Sequence, residues 1–203
     1  MLREVTLAAA LGSLVHGLAL AQQTKAPPTA ADSAAYSALV ARARAGDTTA
    51  DFTALRMLYV KFAPDSPSGP TPAELFARAR KASDSLVARA QVDSVLDTYY
   101  GHIQAHIDAE RVFRERGDST RARSEDAIVR AFLASIGANG GLTRDTAMPV
   151  TNLAEEYAFL ASKGMRREGQ ALVTCGTGRC DALTGADSAT GTRVTYYFRL
   201  SWW

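Results

Sequence analysis

The chain is poor in the residues that most often carry chemistry. It has two cysteines, Cys175 and Cys180, and three histidines in 203 residues. A zinc site built on that single cysteine pair would fall short of the usual four ligands. Neither sign of charge is in excess: 23 basic residues against 21 acidic ones leave a formal +2. With no basic stripe to follow a phosphate backbone, nucleic acid is excluded as a partner. Even the arginine-rich residues 111–123 are interleaved with Glu115 and Asp118, follow Glu110, and read as a solvated helix face and loop. Beyond residue 20 no apolar run approaches the roughly 20 residues of a membrane-spanning helix, so the mature chain is expected to carry no transmembrane span. There is no Walker-type phosphate loop, dinucleotide fingerprint, nucleophile elbow or Ser-His-Asp order, and Gly140-Gly141 alone is too little for a phosphate cradle. No cofactor is implied.

What is present begins with a secretory signal. Arg3 stands in a short polar start, an apolar run extends from about Val5 to Leu20, and Ala19-Leu20-Ala21 supplies a small-x-small cleavage site. Residues 1–21 are therefore read as a signal peptide cleaved near Ala21 and Gln22, with retention as an anchor the alternative. The expected location is the periplasm or the exterior. A lipoprotein would need a cysteine just after the apolar run, and both cysteines lie far downstream. Residues 22–31, with two prolines and no apolar periodicity, form a flexible leader, and residues 32–203 form one α+β domain.

The first half of that domain is helical in pattern. Tyr36, Leu39, Val40 and Ala43 recur at helical spacing up to Gly46. Phe52, Leu55, Leu58, Tyr59 and Phe62 make the buried stripe of a second helix capped by Thr49 or Asp51. Four of the seven prolines fall in residues 64–72, a surface loop. Thr71, Pro72 and Glu74 then form a helix start signal for a third helix that uses Leu75, Phe76, Ala79, Leu86 and Val87. Residues 92–114 present Val92, Leu96, Tyr99, Ile103, Ile107 and Phe113 on one broad face, and the helix stops at Gly117. With the Gly117-Asp118 turn and the helix that carries Ala122, Ile128, Phe132 and Ile136, this makes one tetratricopeptide-like helical hairpin, with no second copy at a fixed period.

Residues 137–141 are a glycine-rich turn, followed by a brief turn that Thr143 can cap and by an extended piece at 148–152. Residues 153–160 fit either a helix or one face of a strand; alanine and glutamate content favours helix. Residues 170–174, 180–184 and 192–200 read as strands of a small antiparallel sheet on which the helical layer packs. Trp202 and Trp203 follow the last strand, one read as core and one as partly exposed, with an envelope protein engaged through them as the partner reading.

Few polar residues are candidates for chemistry. Cys175 and Cys180 flank a hairpin turn that would set them opposite one another; in an exported chain the default is a disulfide worth about 2 kcal/mol. His102 and His106 have the i, i+4 spacing of a helical metal grip, but no third ligand follows, and the glutamate of a metallopeptidase motif is replaced by Ile103. His106 also falls between Ile103 and Ile107, where a histidine usually satisfies one buried polar partner. Glu155 and Glu156 are neighbours and point apart, which disfavours a joint acid/base site; Glu155 is expected in solvent and Glu156 on an amide or an arginine. Asp145 is the remaining carboxylate of interest.

The order SI-GANGG-LTRDTA, then LAEEYAFL, a strand with Gln170, Cys180-Asp181 and Tyr197-Phe198 resembles the bacterial family called domain of unknown function 4919; DFTALRMLY at 51–59 and the helix with Ala105-His106 are similar as well. The resemblance covers residues 36–200 and implies an exported protein of mixed helix and sheet, without an established activity. The family's glycine turn commonly reads Ser-Gly-Asp-Gly. Here it is Ala138-Asn139-Gly140-Gly141, which removes the loop carboxylate and any ligand role resting on it. The chain therefore reads as a non-catalytic binding or envelope-associated module. The alternative is a metal-dependent or acid/base hydrolase using His106 with Glu156 or Asp181.

Overall fold

The computed structural model describes residues 27–63 and 71–200. Residues 1–26, which include the expected signal peptide and the first part of the leader, residues 64–70 of the proline-rich loop, and residues 201–203 with Trp202 and Trp203 lie outside the described residues. Helices build the first half, and most of them start where a side chain satisfies free amides. In α1 (Ala30–Arg44), Thr29 and Asp32 cap each other's backbone reciprocally, and Asp51 caps α2 (Phe52–Phe62) through the amide of Ala54. The start signal of α3 (Pro72–Lys81) forms as its spacing predicts, with Thr71 and Glu74 reciprocal and Pro72 at the first position.

Two expected helices are each broken in two. The third ends at Lys81, and Asp84 accepts from the amides of Leu86 and Val87 to start α4 (Ser85–Tyr99). Leu86 and Val87, expected in the core, stand 75% and 49% exposed on its first turn. The expected continuous helix over 92–114 stops at residues 100–102 and resumes as α5 (Ile103–Glu115). Gly101 explains the break: a Cβ there would lie 2.2 Å from Cβ of Tyr59, so α2 presses on the bare backbone at this point. His102 consequently sits at the N-cap of α5 in extended conformation and not one turn before His106 on a common helix. α5 and α6 (Ser119–Gly137), joined through Gly117 with Asp118 as N-cap, form the expected hairpin.

The sheet is mixed, where an antiparallel one was expected. Strands β2 (Met165–Cys175), β3 (Gly178–Asp187) and β4 (Arg193–Leu200) form an antiparallel meander, and β1 (Met148–Val150) adds parallel to β4, giving the order β1-β4-β3-β2. Gly140 and Gly141 turn the chain into β1 with φ of 83° and 68°. The carbonyl of Gly141 accepts from the amide of Tyr197, which ties the turn to β4. Pro149 suits an edge position, where its missing amide costs no ladder bond. Between β1 and β2 runs α7 (Leu153–Ser162), capped by Asn152, so residues 153–160 are helical.

One core joins the layers. Phe159 of α7 meets Tyr196 and Phe198 of β4 edge-on at 5.3 and 5.9 Å, and Phe52 of α2 meets Phe132 of α6 at 5.2 Å. The same contiguous cluster takes in Val92, Ile103, Ile136, Met148 and Leu183. No helix among the described residues is long and apolar enough to cross a membrane.

Candidate functional site

Three polar centres stand out. The first holds α7 in place. Arg56, wholly buried on α2, donates to Oε2 of Glu155 at 2.6 Å, to Oγ of Ser135 at 3.0 Å and to the carbonyl of Pro149 at 3.3 Å. Glu155 also accepts from the amide and hydroxyl of Thr151 at 2.8 and 2.7 Å. Contrary to expectation, Glu155 is the glutamate that takes an arginine and an amide, and it is not in solvent. Its neighbour has neither: both carboxyl oxygens of Glu156 are buried without a hydrogen-bond partner.

Glu156 looks instead toward Asp181 of β3. Burial, then the negative charges of Asp181 and Glu155, push the Glu156 carboxyl up to about 8. At neutral pH the protonated form predominates. From Asp181 a line of bonds runs outward: Nε2 of Gln170 donates to Asp181 at 3.0 Å, Tyr157 donates to Oε1 of Gln170 at 3.1 Å, and Arg167 donates to Tyr157 at 2.8 Å. Glu155, Glu156, Gln170 and Asp181 thus converge in one region, with Arg56 paired to Glu155. A general acid must touch the atom it protonates. Both oxygens of Glu156 are closed to solvent in this arrangement.

His106 belongs to the second centre, between α5 and α6. Its Nε2–H donates to the carbonyl of Tyr100 at 2.7 Å, and its Nδ1 lies 2.6 Å from Oε2 of Glu125. A carbonyl only accepts, so Nε2 carries a hydrogen, and one further proton must lie between Nδ1 and the carboxylate. Both ring nitrogens are engaged, and neither partner is Glu156 or Asp181. His102 is held neutral, its pKa lowered to about 4 by burial and then by the nearby His106; its Nδ1 is buried without a partner. No group of three or more His, Cys, Asp or Glu among the described residues is placed to hold a metal ion. Asp145 is exposed in the turn before β1.

The third centre went unseen in the sequence. A cleft of about 800 Å³ opens between the end of α1, α4 and the first half of α6, within the usual range of ligand pockets, roughly 300–1,000 Å³. Tyr100, Leu96, Ile128 and Glu125 line it, so the His106 pair lies directly behind its wall. Arg44, Arg89, Arg121 and Arg123 line it as well, with Asp93 and Asp97 between them. These residues come from three elements and share no spacing, and the run at 111–123 read only as a solvated face. Two of its arginines, Arg121 and Arg123, turn into the cleft.

Cys175 and Cys180 stand at disulfide distance, with Cα atoms 5.8 Å apart. They are not directly opposite: Cys180 pairs with Val173, so the bridge runs diagonally across the β2–β3 hairpin on one face. Ala147 and Tyr197 pack against it. No protein-family model, curated protein or solved structure matches this chain.

Proposed function

We propose that this chain is an exported bacterial module that binds a small molecule without transforming it, and that the cleft between α1, α4 and α6 is the seat. The cleft carries the reading. It is large enough for an organic ligand, and it sets many charged and polar groups around a small apolar floor of Leu96, Tyr100 and Ile128. The carboxylates that suggested acid/base chemistry support the same reading, because Glu155 is consumed by Arg56 and Glu156 is shut away from solvent. Membership of the domain of unknown function 4919 family is part of the proposal, resting on the quoted motifs.

The test is thermal unfolding of the purified protein against fractions of a small-molecule extract from a bacterial culture. A ligand at a hundredfold excess over its Kd should raise Tm by about 5 °C or more. Ser124→Trp, which fills the mouth of the cleft from an exposed position, should abolish the shift. Absence of any shift, or equal shifts in both proteins, refutes the seat. A second reading, an envelope protein engaged through Trp202 and Trp203, is tested by deleting both; unchanged localisation and unchanged capture of envelope proteins would remove it.

A further inference from the structure

We propose that the cleft between α1, α4 and α6 takes an organic anion: an acidic head group gripped by Arg89 and Arg123, on an apolar body lying against Tyr100, Leu96 and Ile128. The inference deepens the binding reading above and rests on it. It starts from the charges. Arg44 is paired with Asp97 at 2.5 Å, and Arg121 grips Asp93 with both of its terminal nitrogens. Glu125 shares a proton with His106, and that pair is neutral overall whichever atom holds the proton. Arg89 and Arg123 are left over, both exposed, both lining the cleft and neither with an acidic partner among the described residues. The cleft therefore carries two uncompensated positive charges in a chain whose net charge is only +2.

A second observation is independent of charge. The hydroxyl of Tyr100, a residue of the cleft wall, is buried with no hydrogen-bond partner. Burial, then the charge of Glu125, raises its pKa beyond the ordinary phenol range, so it keeps its proton and adds no negative charge to that wall. Carboxylates and phosphates supply acceptor oxygens, and guanidinium groups match both with paired bonds. Tyr100, Leu96, Ile128 and Ala43, all buried, form the apolar floor of the cleft. Arg44, stacked 5.0 Å over the Tyr100 ring, fixes that wall.

The same chemistry could come from a dissolved acid or from an anionic lipid head group, and the assay separates them. The full mature chain is titrated calorimetrically with octanoate and with octyl phosphate below micelle formation, and is co-sedimented with phosphatidylglycerol vesicles. At least one of these probes should bind, and Arg89→Ala with Arg123→Ala should weaken it tenfold or more while circular dichroism stays unchanged. Octyl glucoside, with the same tail and a neutral head, should not bind. Binding in the titrations identifies a dissolved acid as the source; binding to vesicles alone identifies a lipid. The proposal is overturned if no anion binds, if the double variant binds as tightly as the parent, or if octyl glucoside binds equally well. A neutral ligand displaced by Ser124→Trp would remove the anion and leave the seat, so the two failures are distinguishable.

Discussion

Arg56 is a guanidinium with no solvent contact, and it is tolerated because its bonds go to Glu155, Ser135 and Pro149. Removing one member of such a pair strands the other as an unpaired buried charge, at a cost of roughly 3–5 kcal/mol. Arg56→Met should therefore destabilise the fold by that order in urea unfolding, and adding Glu155→Leu should restore most of the loss. If the double variant is no more stable than the single, the pair is not the reason for the loss. Glu156 poses the opposite case, a carboxyl stable only when neutral. The unfolded chain ionises it near its ordinary value of 4.5, the folded protein only near 8. Its contribution is fully present below the lower value and is lost as pH rises between the two, at about 1.4 kcal/mol per pH unit. Relative to Glu156→Gln, whose amide can donate to Asp181 at any pH, the parent protein should lose Tm from pH 5 to pH 8. Parallel Tm profiles for the two would refute the buried neutral acid.

At the scale of elements, Gly101 is the position where the helical layer depends on an absent side chain. Gly101→Ala puts a carbon 2.2 Å from Cβ of Tyr59, which is too near the backbone of α2 to swing away. The expected loss is about 2 kcal/mol or more, typical of overpacking, and is read from the urea midpoint. An unchanged midpoint would mean that α2 and the 100–102 break are not pressed together. This contact also shows why one helix was read where there are two: the apolar face from Val92 to Phe113 continues across the break, and its cause lies on Tyr59, some 40 residues away. Local signals fared better. Thr71 with Glu74, Asp51 before Phe52 and the Gly117-Asp118 turn each mark an end that the structure keeps. The β1 pairing was out of reach for the opposite reason, since a three-residue strand containing Pro149 has too little alternation to declare a partner. Of the polar centres, the sequence offered His106, Glu155, Glu156 and Asp181 by residue type, but the partners of His106, Glu125 and Tyr100, and the partner of Glu155, Arg56, are assigned by packing alone.

For the molecule as a whole, the compartment and the stability of the sheet are linked through Cys175 and Cys180. The pair lies at the tip of the β2–β3 hairpin, and β2 is an edge strand of the sheet formed by the described residues. A bridge over so short a loop contributes about 2 kcal/mol, and in a chain of this size that corresponds to about 4–8 °C of Tm. Such a bridge forms in an oxidising compartment and not in the cytosol. The full chain, exported from a bacterium, should therefore resist alkylation of both cysteines. A version starting at Gln22 and kept in the cytosol should take two alkyl groups and melt 4–8 °C lower, a gap that vanishes when both proteins are reduced. Free thiols in exported protein would sever the link between residues 1–21 and the bridge. Equal melting of the bridged and the free-thiol proteins would instead show that β2 is held by its ladder to β3 and by the contact of Tyr157 with Gln170. The proposed binding cleft lies on the helical side, so ligand affinity in the α1–α4–α6 seat should be the same in both redox states, whichever of these results is obtained.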